Sequence, residues 1–461
     1  MPKKIAASHA DVIAFDVLDK WFEFRAKYGG IPGLQVAIRK HGTPIYSKAF
    51  GYANMAKERP YTPRHAGHIA SHSKMFTACA ALQLALTGAF SINDPVVMHL
   101  PWLKQHRDKR VREITLRDLM TNRSGLFRDG MDSSFWEMER PFLSDRQLQN
   151  AVMDADLVFD PNTVTKYSNI GFGLLGMAME KATGATYDSL MNALIISKLP
   201  GALLMTDYGL AKGAHYADGH SKRFYRGKRK IFRHAATDAM APATGFCANM
   251  ESTTQFLSDL YFTDKFLPRT LRRDMTSMSW TVRNAPNEFY GLGTQFNTTQ
   301  GNTYIGHSGG YPGFTSQTRL WSGSGYICGA IVNVNELFSF SLIRSMAEVV
   351  RKVADTFPEA EWKKLEVTEP MMNKWGSSVY IIGKTRALGI PIETWQPADE
   401  AFILDRRLTG EYHCDKITGY ASLGEEVKFL RRGKKVYAVR FGGHTAYNRK
   451  DFMKRAKKAF E

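Results

Sequence analysis

Ser71 and Lys74 stand three residues apart at the head of an apolar, alanine-rich run, GHIASHSKMFTACAALQLAL at residues 67–86. Residues i and i+3 of a helix share a face, so this spacing puts a hydroxyl beside an amine. A serine hydroxyl is a weak nucleophile until a neighbouring base takes its proton. Lysine can be that base when burial lowers its pKa, and the apolar run after it supplies burial. A helix N-terminus also favours negative charge developing at Ser71, whose amide is free to donate to an oxyanion. The pair is equipped for acyl transfer, and it is the only Ser-x-x-Lys in the chain. Ser71 as a plain helix cap is the alternative, so the companions decide.

The first companion is Lys166-Tyr167-Ser168-Asn169, on a Pro161 loop before a glycine-rich helical stretch. A phenol near an ammonium can ionise more readily and shuttle a proton to a leaving group, while the Asn169 amide can orient Lys74 and a substrate carbonyl. A half-buried tyrosine beside a helix cap is the structural alternative. The second is Gly306-His307-Ser308-Gly309-Gly310-Tyr311-Pro312-Gly313-Phe314. Its glycines let backbone approach a ligand, so an amide near Gly310 can complete an oxyanion hole with His307 in the wall. An ordinary hairpin turn with a histidine at its mouth is the alternative there.

The elements that must position these groups are legible in the periodicity. Residues 10–28 predict an amphipathic helix, stopped by Gly29-Gly30-Ile31-Pro32-Gly33. Residues 34–38 and 45–50 predict a hairpin across His41-Gly42. From Ser71 to about 200 the pattern is mainly helical, with apolar periodicity at 75–88, 115–121 and 170–182. Strand character returns at 290–293, 319–321 and 327–334, followed by a helix at 340–355. This order predicts an α+β fold: an antiparallel sheet from both ends of the chain, with a helical block inserted between. From about 366 short strand-like runs, at 379–382, 427–430 and 436–439, predict a small β-rich C-terminal domain over 366–461 after a main domain over 1–360.

Composition restricts the classes. The chain has 461 residues, 44% of them hydrophobic and 12% aromatic, which describes a folded protein with a substantial core. Sixty-two Lys and Arg against 44 Asp and Glu give a formal charge of +18. The excess concentrates at Lys222–Lys230, Arg431–Lys435 and Arg449–Lys458, which read as solvated hairpins and a terminal helix. Without a zinc-ligand spacing or an RNA-recognition signature beside them, nucleic acid is not expected as a partner. Cys79, Cys247, Cys328 and Cys414 form no C-x-x-C pair and mostly lie in apolar surroundings, which predicts a reduced setting. His9, Asp11 and Asp16 interrupt any apolar leader, and no run has the length of a membrane span. A cytoplasmic location is expected; a periplasmic one requires a leader that has been removed.

Taken together, the motifs resemble the serine β-lactamase and DD-peptidase superfamily, in the branch joining class C β-lactamases, D-aminopeptidases, serine esterases and DD-carboxypeptidases. The family's Ser-x-x-Lys, Tyr-x-Asn and Lys- or His-x-Gly elements match Ser71 with Lys74, Tyr167 with Asn169, and His307 with Gly309, in the family's order. Flanking text at 91–96, 114–126 and 242–246 also fits, and the resemblance covers roughly residues 10–355. Tyr52-Ala53-Asn54 and His65-Ala66-Gly67 fit the short patterns too, but both precede Ser71.

The resemblance implies that the main domain has the β-lactamase/transpeptidase-like sheet with an all-helical subdomain. It implies that Ser71 forms an acyl-enzyme, that Lys74 and Tyr167 handle the protons, and that amides near Ser71 and Gly310 hold the oxyanion. Asn169, His307, Gly309 and Gly310 then bind substrate, with no metal or organic cofactor. His307-Ser308 stands where typical β-lactamases have lysine and threonine, so the resemblance points toward D-aminopeptidases and DD-carboxypeptidases. The expected function is a serine hydrolase of small amides or short peptides, chiefly those containing a D-amino acid. A short-chain carboxylesterase and a penicillin-binding or regulatory module with little turnover are the alternatives.

Overall fold

The computed structural model describes residues 9–28, 30–199, 204–207, 215–223, 227–277, 279–282, 285–299, 302–335, 346, 349–350, 367–373, 378–382, 386–390, 402–406, 412–415, 428–441 and 444–460. They divide into two compact units, Pro32–Glu336 and a second made of Met1–Ile31 with Leu337–Glu461.

The strands of the larger unit are β1 (Gly33–Lys40), β2 (Thr43–Asn54), β3 (Arg59–Pro60), β4 (Gly67–His68), β5 (Leu204–Thr206), β6 (Phe246–Ala248), β7 (Trp280–Val282), β8 (Ala285–Tyr290), β9 (Gln295–Thr299), β10 (Asn302–Gly306), β11 (Ser308–Tyr311), β12 (Phe314–Trp321) and β13 (Tyr326–Val332). Among the described residues, ten of them form one sheet in the order β3-β2-β1-β13-β12-β10-β9-β8-β7, with β11 paired to β12. The β1–β2 hairpin joins the C-terminal strands through antiparallel β1–β13 pairing, Val36 opposite Ala330. Both ends of the unit therefore build the sheet, as the sequence predicts. The central strands β12 and β13 are buried at every position, as expected of strands covered on both faces.

Its helices include α2 (Ser73–Leu86), α6 (Asn169–Thr183) and α9 (Met250–Phe262), with α3 (Val96–His99), α4 (Leu116–Met120), α5 (Asp145–Met153), α7 (Tyr187–Leu194), α8 (Ala241–Thr244) and α10 (Arg269–Ser277) around them. Caps fix their starts: Ser168 accepts from Gly171 N ahead of α6, and Asn249 from Ser252 N ahead of α9. Helix α2 is buried at every residue from Ser73 to Leu84, so its apolar run is a core helix without a wet face. Phe76 on α2 packs against Phe246 of β6 and Phe256 of α9, with ring centroids 4.5 and 4.1 Å away.

The expectation of strand through 290–293 needs correction. Strand β8 ends at Tyr290, and 291–294 turn into β9, with Gly291 N donating to Thr294 O. Gly293 has φ +68°, and a Cβ there would lie 2.5 Å from Lys74 O, so alternation gives way to a glycine that lets this turn close on α2. On either side of the basic stretch, Ser221 N donates to Lys230 O and Phe232 N to Gly219 O; residues 224–226 lie outside the described residues.

In the second unit, the N-terminal helix α1 (His9–Tyr28) groups with the C-terminal residues, where Lys20 lies 3.8 Å from Glu369. This grouping differs from the ranges 1–360 and 366–461 expected from the sequence. Strands β14 (Met371–Met372), β15 (Ser378–Ile382), β16 (Arg386–Ile390), β17 (Phe402–Arg406), β18 (Tyr412–Asp415), β19 (Lys428–Arg432), β20 (Lys435–Phe441) and β21 (His444–Tyr447) form a sheet in the order β18-β17-β16-β15-β14-β21-β20-β19, followed by α11 (Arg449–Phe460). Met371, Val379, Ile381, Val439 and Ala446 make a small core there. The helix expected at 340–355 lies almost wholly outside the described residues.

Candidate active site

Ser71 sits in a three-ten turn, Ala70–His72, immediately before α2 rather than in the helix itself. Ala70 carries φ +50°, a left-handed conformation that costs a non-glycine residue about 1 kcal/mol or more. The surroundings hold it there. Ser73 Oγ donates to Ala70 O at 2.6 Å and accepts from Phe246 N at 2.9 Å. The His72 ring spans Ile69 O, at 2.9 Å from Nδ1, and Thr318 Oγ1, at 3.1 Å from Nε2. Ser71, by contrast, is only half-buried.

Lys74 is completely buried, and its Nζ lies 3.2 Å from Ser71 Oγ, 2.7 Å from Asn169 Oδ1 and 2.9 Å from Ala243 O. Burial drives its pKa well below the ordinary lysine value; the Asp129 carboxylate opposes that shift and the Arg128 guanidinium adds to it. A neutral amine has two N–H bonds and one lone pair. The carbonyl oxygens of Asn169 and Ala243 can only accept, so they take the two N–H bonds and leave the lone pair for the Ser71 hydroxyl. The contacts thus fit the base form of Lys74.

Tyr167 and Asn169 arrive where the Pro161 loop enters α6. The Lys74 Nζ lies 4.7 Å from the centre of the Tyr167 ring, and the phenol is hydrogen-bonded to Ser71. Here the site differs from the simple reading that a nearby ammonium eases tyrosine ionisation. Burial raises the Tyr167 pKa, the Ser71 bond only partly opposing it, so the phenol stays protonated. Asn169 gives its oxygen to Lys74 and one N–H to Asp129 Oδ1 at 2.6 Å. The Asn169 side chain therefore bridges Lys74 and Asp129.

His307 is buried, its Nδ1 2.6 Å from Ser308 O and its Nε2 3.0 Å from Tyr290 OH. Since Ser308 O can only accept, the proton sits on Nδ1 and Tyr290 donates to Nε2. Burial, with His72 and Lys74 nearby, holds the imidazole neutral. Gly310 is exposed on β11 opposite Thr315, and Gly309 is buried against the 70–72 turn. A Cβ at Gly309 would lie 2.1 Å from Ile69 O and 2.7 Å from Ser316 Oγ. We expect Gly309→Ala to destabilise the fold by about 1–3 kcal/mol, read as a lower urea midpoint at unchanged slope. An unchanged midpoint would show that β11 does not press on this turn.

Asp129, Tyr290 and the Ala243 carbonyl were not picked out as site groups by sequence reasoning. The last lies within the flank at 242–246, on the single turn of α8, whose second residue is Pro242. Among the described residues, one group of metal-ligating side chains lies close together, His68, Asp207 and Cys247, and it shares no member with the Ser71 cluster.

The family model described as Beta-lactamase matches residues 18–344. Protein flp of Staphylococcus aureus (strain N315) is 31% identical over 170 residues, 37% of this chain and 34% of that protein. Penicillin-binding protein 4* of Bacillus subtilis (strain 168) is 26% identical over 302 residues, 61% of this chain and 63% of its own length. The chain therefore matches about a third of the one and under two thirds of the other. A D-stereospecific amidohydrolase from Streptomyces shares the fold with TM-score 0.60 at 23% identity, over 69% of this chain and 94% of that one.

Proposed function

The chain belongs to the Beta-lactamase family, and on that premise we propose that it is a serine hydrolase cleaving small amides and short peptides, those with a D-residue first among them. The observation that carries this is the 3.2 Å approach of Ser71 Oγ to a completely buried Lys74 whose N–H bonds are already committed. Ser71 Oγ bonds to the substrate carbonyl carbon as its proton passes to Lys74 Nζ. The Tyr167 phenol, bonded to Ser71, passes a proton to the leaving nitrogen as the C–N bond breaks and is reprotonated from Lys74. Water then cleaves the acyl ester, releasing the acid and restoring the Ser71 hydroxyl. Amides of Ser71 and Gly310 are the proposed oxyanion donors.

The neutral His307 offers no cation to a substrate carboxylate, which favours an amide or aminopeptidase substrate over a carboxypeptidase one. The D-preference draws on the fold shared with the Streptomyces D-stereospecific amidohydrolase. The test compares D- and L-alaninamide, D-alanyl dipeptides and p-nitrophenyl acetate. We expect kcat/KM for the D-amide to exceed that for its L-form at least roughly tenfold. Turnover of the ester alone would replace this reading with a short-chain carboxylesterase, and a stoichiometric, long-lived acyl-enzyme with a penicillin-binding module.

Asp129→Asn separates charge from shape, because asparagine can still accept from Asn169 Nδ2. The Asp129 carboxylate raises the Lys74 pKa, so its loss is expected to move the acidic limb of the kcat/KM profile to lower pH. A limb that stays in place would mean that Lys74 does not set it.

A further inference from the structure

We propose that His68, Asp207 and Cys247 form a binding site for a single zinc ion, held by His68 Nδ1, Asp207 Oδ1 and the Cys247 thiolate, with its fourth position left to water. Two of three neighbouring strands supply a ligand each, and the residue after the third strand supplies the other. His68 on β4 is opposite Cys247 on β6, Met205 of β5 is opposite Cys247 from the other side, and Asp207 follows β5 directly. The three ligand atoms lie within 4.8 Å of one another. His68 Nδ1 and Cys247 Sγ are 3.3 Å apart, close to the separation of about 3.6 Å that nitrogen and sulfur have on one tetrahedral zinc.

A second observation points to the ligand. Asp207 is 5% exposed, and among the described residues its Oδ1 has no hydrogen-bond partner, although Oδ2 accepts from both the amide and the hydroxyl of Thr237. A buried carboxylate oxygen without a partner is costly, and a divalent cation beside it removes that cost. Cys247 is fully buried and His68 is 5% exposed, with the Tyr311 ring stacked 3.8 Å from the imidazole. Burial raises the pKa of both the Asp207 carboxyl, to about 7, and the Cys247 thiol. Binding releases the Cys247 proton, and that of Asp207 where present. One dication then balances two anions and a neutral imidazole.

His234 supplies the outer contact. Its Nδ1 lies 2.8 Å from His68 Nε2, so with Nδ1 of His68 on zinc, Nε2–H donates outward and fixes the ring. The site adjoins the nucleophile turn: Ile69 N donates to Phe246 O at 3.1 Å, and Phe246 N to Ser73 Oγ. Its role is to tie β4, β5 and β6 together under that turn, apart from the acyl-transfer chemistry.

The experiment is equilibrium dialysis of the full chain, stripped of metal, against zinc chloride alone, with metal per chain read by mass spectrometry. A parallel cobalt(II) titration is followed by absorption. We expect one zinc per chain, a higher unfolding temperature with zinc, and a thiolate-to-cobalt charge-transfer band. Cys247→Ser is expected to lose the band and weaken zinc on the order of a hundredfold or more, and surface-exposed His234→Ala to weaken it roughly 10–100-fold. Folded wild type that takes up no zinc, or a cobalt spectrum without the thiolate band, overturns the proposal. An affinity unchanged in folded Cys247→Ser overturns it too. Should that variant not fold, the wild-type band and His234→Ala decide: an absent band or unchanged zinc affinity overturns the site.

Discussion

Ser71→Ala is expected to remove all covalent labelling by a fluorophosphonate probe and to lower kcat/KM by about 10⁴–10⁶-fold, because it removes the oxygen on which the acyl-enzyme of the proposed mechanism forms. The fold should hardly respond. Ser71 is half-buried, its hydroxyl contacts are Lys74 and Tyr167, and the strained Ala70 is held by other groups. A stability change under about 1 kcal/mol is expected. Ser73→Ala is the contrasting variant. It leaves Phe246 N without the Ser73 hydroxyl as acceptor and takes one of two donors from Ala70 O, which keeps the Ser73 N–H, so it should cost about 1–3 kcal/mol while keeping the label. Intact-mass analysis of both variants beside wild type gives the readout. An adduct that persists on Ser71→Ala would place the nucleophile elsewhere and remove the basis of the proposed mechanism.

The difference between these two serines also marks what a sequence can disclose. Ser71 with Lys74 was legible because its geometry is local: three residues of helical spacing bring the groups together, and the apolar run that follows announces the burial. Tyr167 and Asn169 were legible for a similar reason, since the Pro161 loop and the Ser168 cap fix where α6 begins. Asp129 was not, because its bond to Asn169 spans 40 residues and an aspartate before a glycine reads as ordinary loop text. The Ala243 acceptor is a main-chain carbonyl, and no side chain reports it. Tyr290 was noticed as the start of a strand, whereas it ends one, and its hydroxyl meets His307 across the sheet rather than along the chain. Local spacing was enough to find the groups that cluster around Ser71; the tertiary contacts made to them carry no local pattern. The α+β order was legible because the two ends of the larger unit alternate as strands and its middle repeats as helices. The grouping of α1 with the C-terminal residues is a matter of tertiary packing alone.

Lys74→Met should lower kcat/KM by about 10²–10⁴-fold, the range lost with a general base, and should also alter two pH profiles in a way that a purely structural lysine would not. In wild type, burial holds the Lys74 pKa well below its ordinary value of 10.5. The amine therefore becomes the base as pH rises through that depressed value, and kcat/KM should climb over the same interval. In Lys74→Met the climb is expected to vanish. Stability moves in the same direction for a linked reason. Between the depressed folded pKa and the ordinary unfolded one, the unfolded chain binds a proton at Lys74 that the folded chain does not. Wild-type stability therefore gains on that of Lys74→Met as pH rises across this window, and the penalty of burying the ammonium is complete only below it. The offset between the variants also includes the unsatisfied Asn169 and Ala243 oxygens that methionine leaves behind, but that part does not change with pH. Urea unfolding of both proteins across the window isolates the slope. A difference in stability that stays flat would mean that Lys74 remains protonated in the fold, and the proton from Ser71 would then need another acceptor.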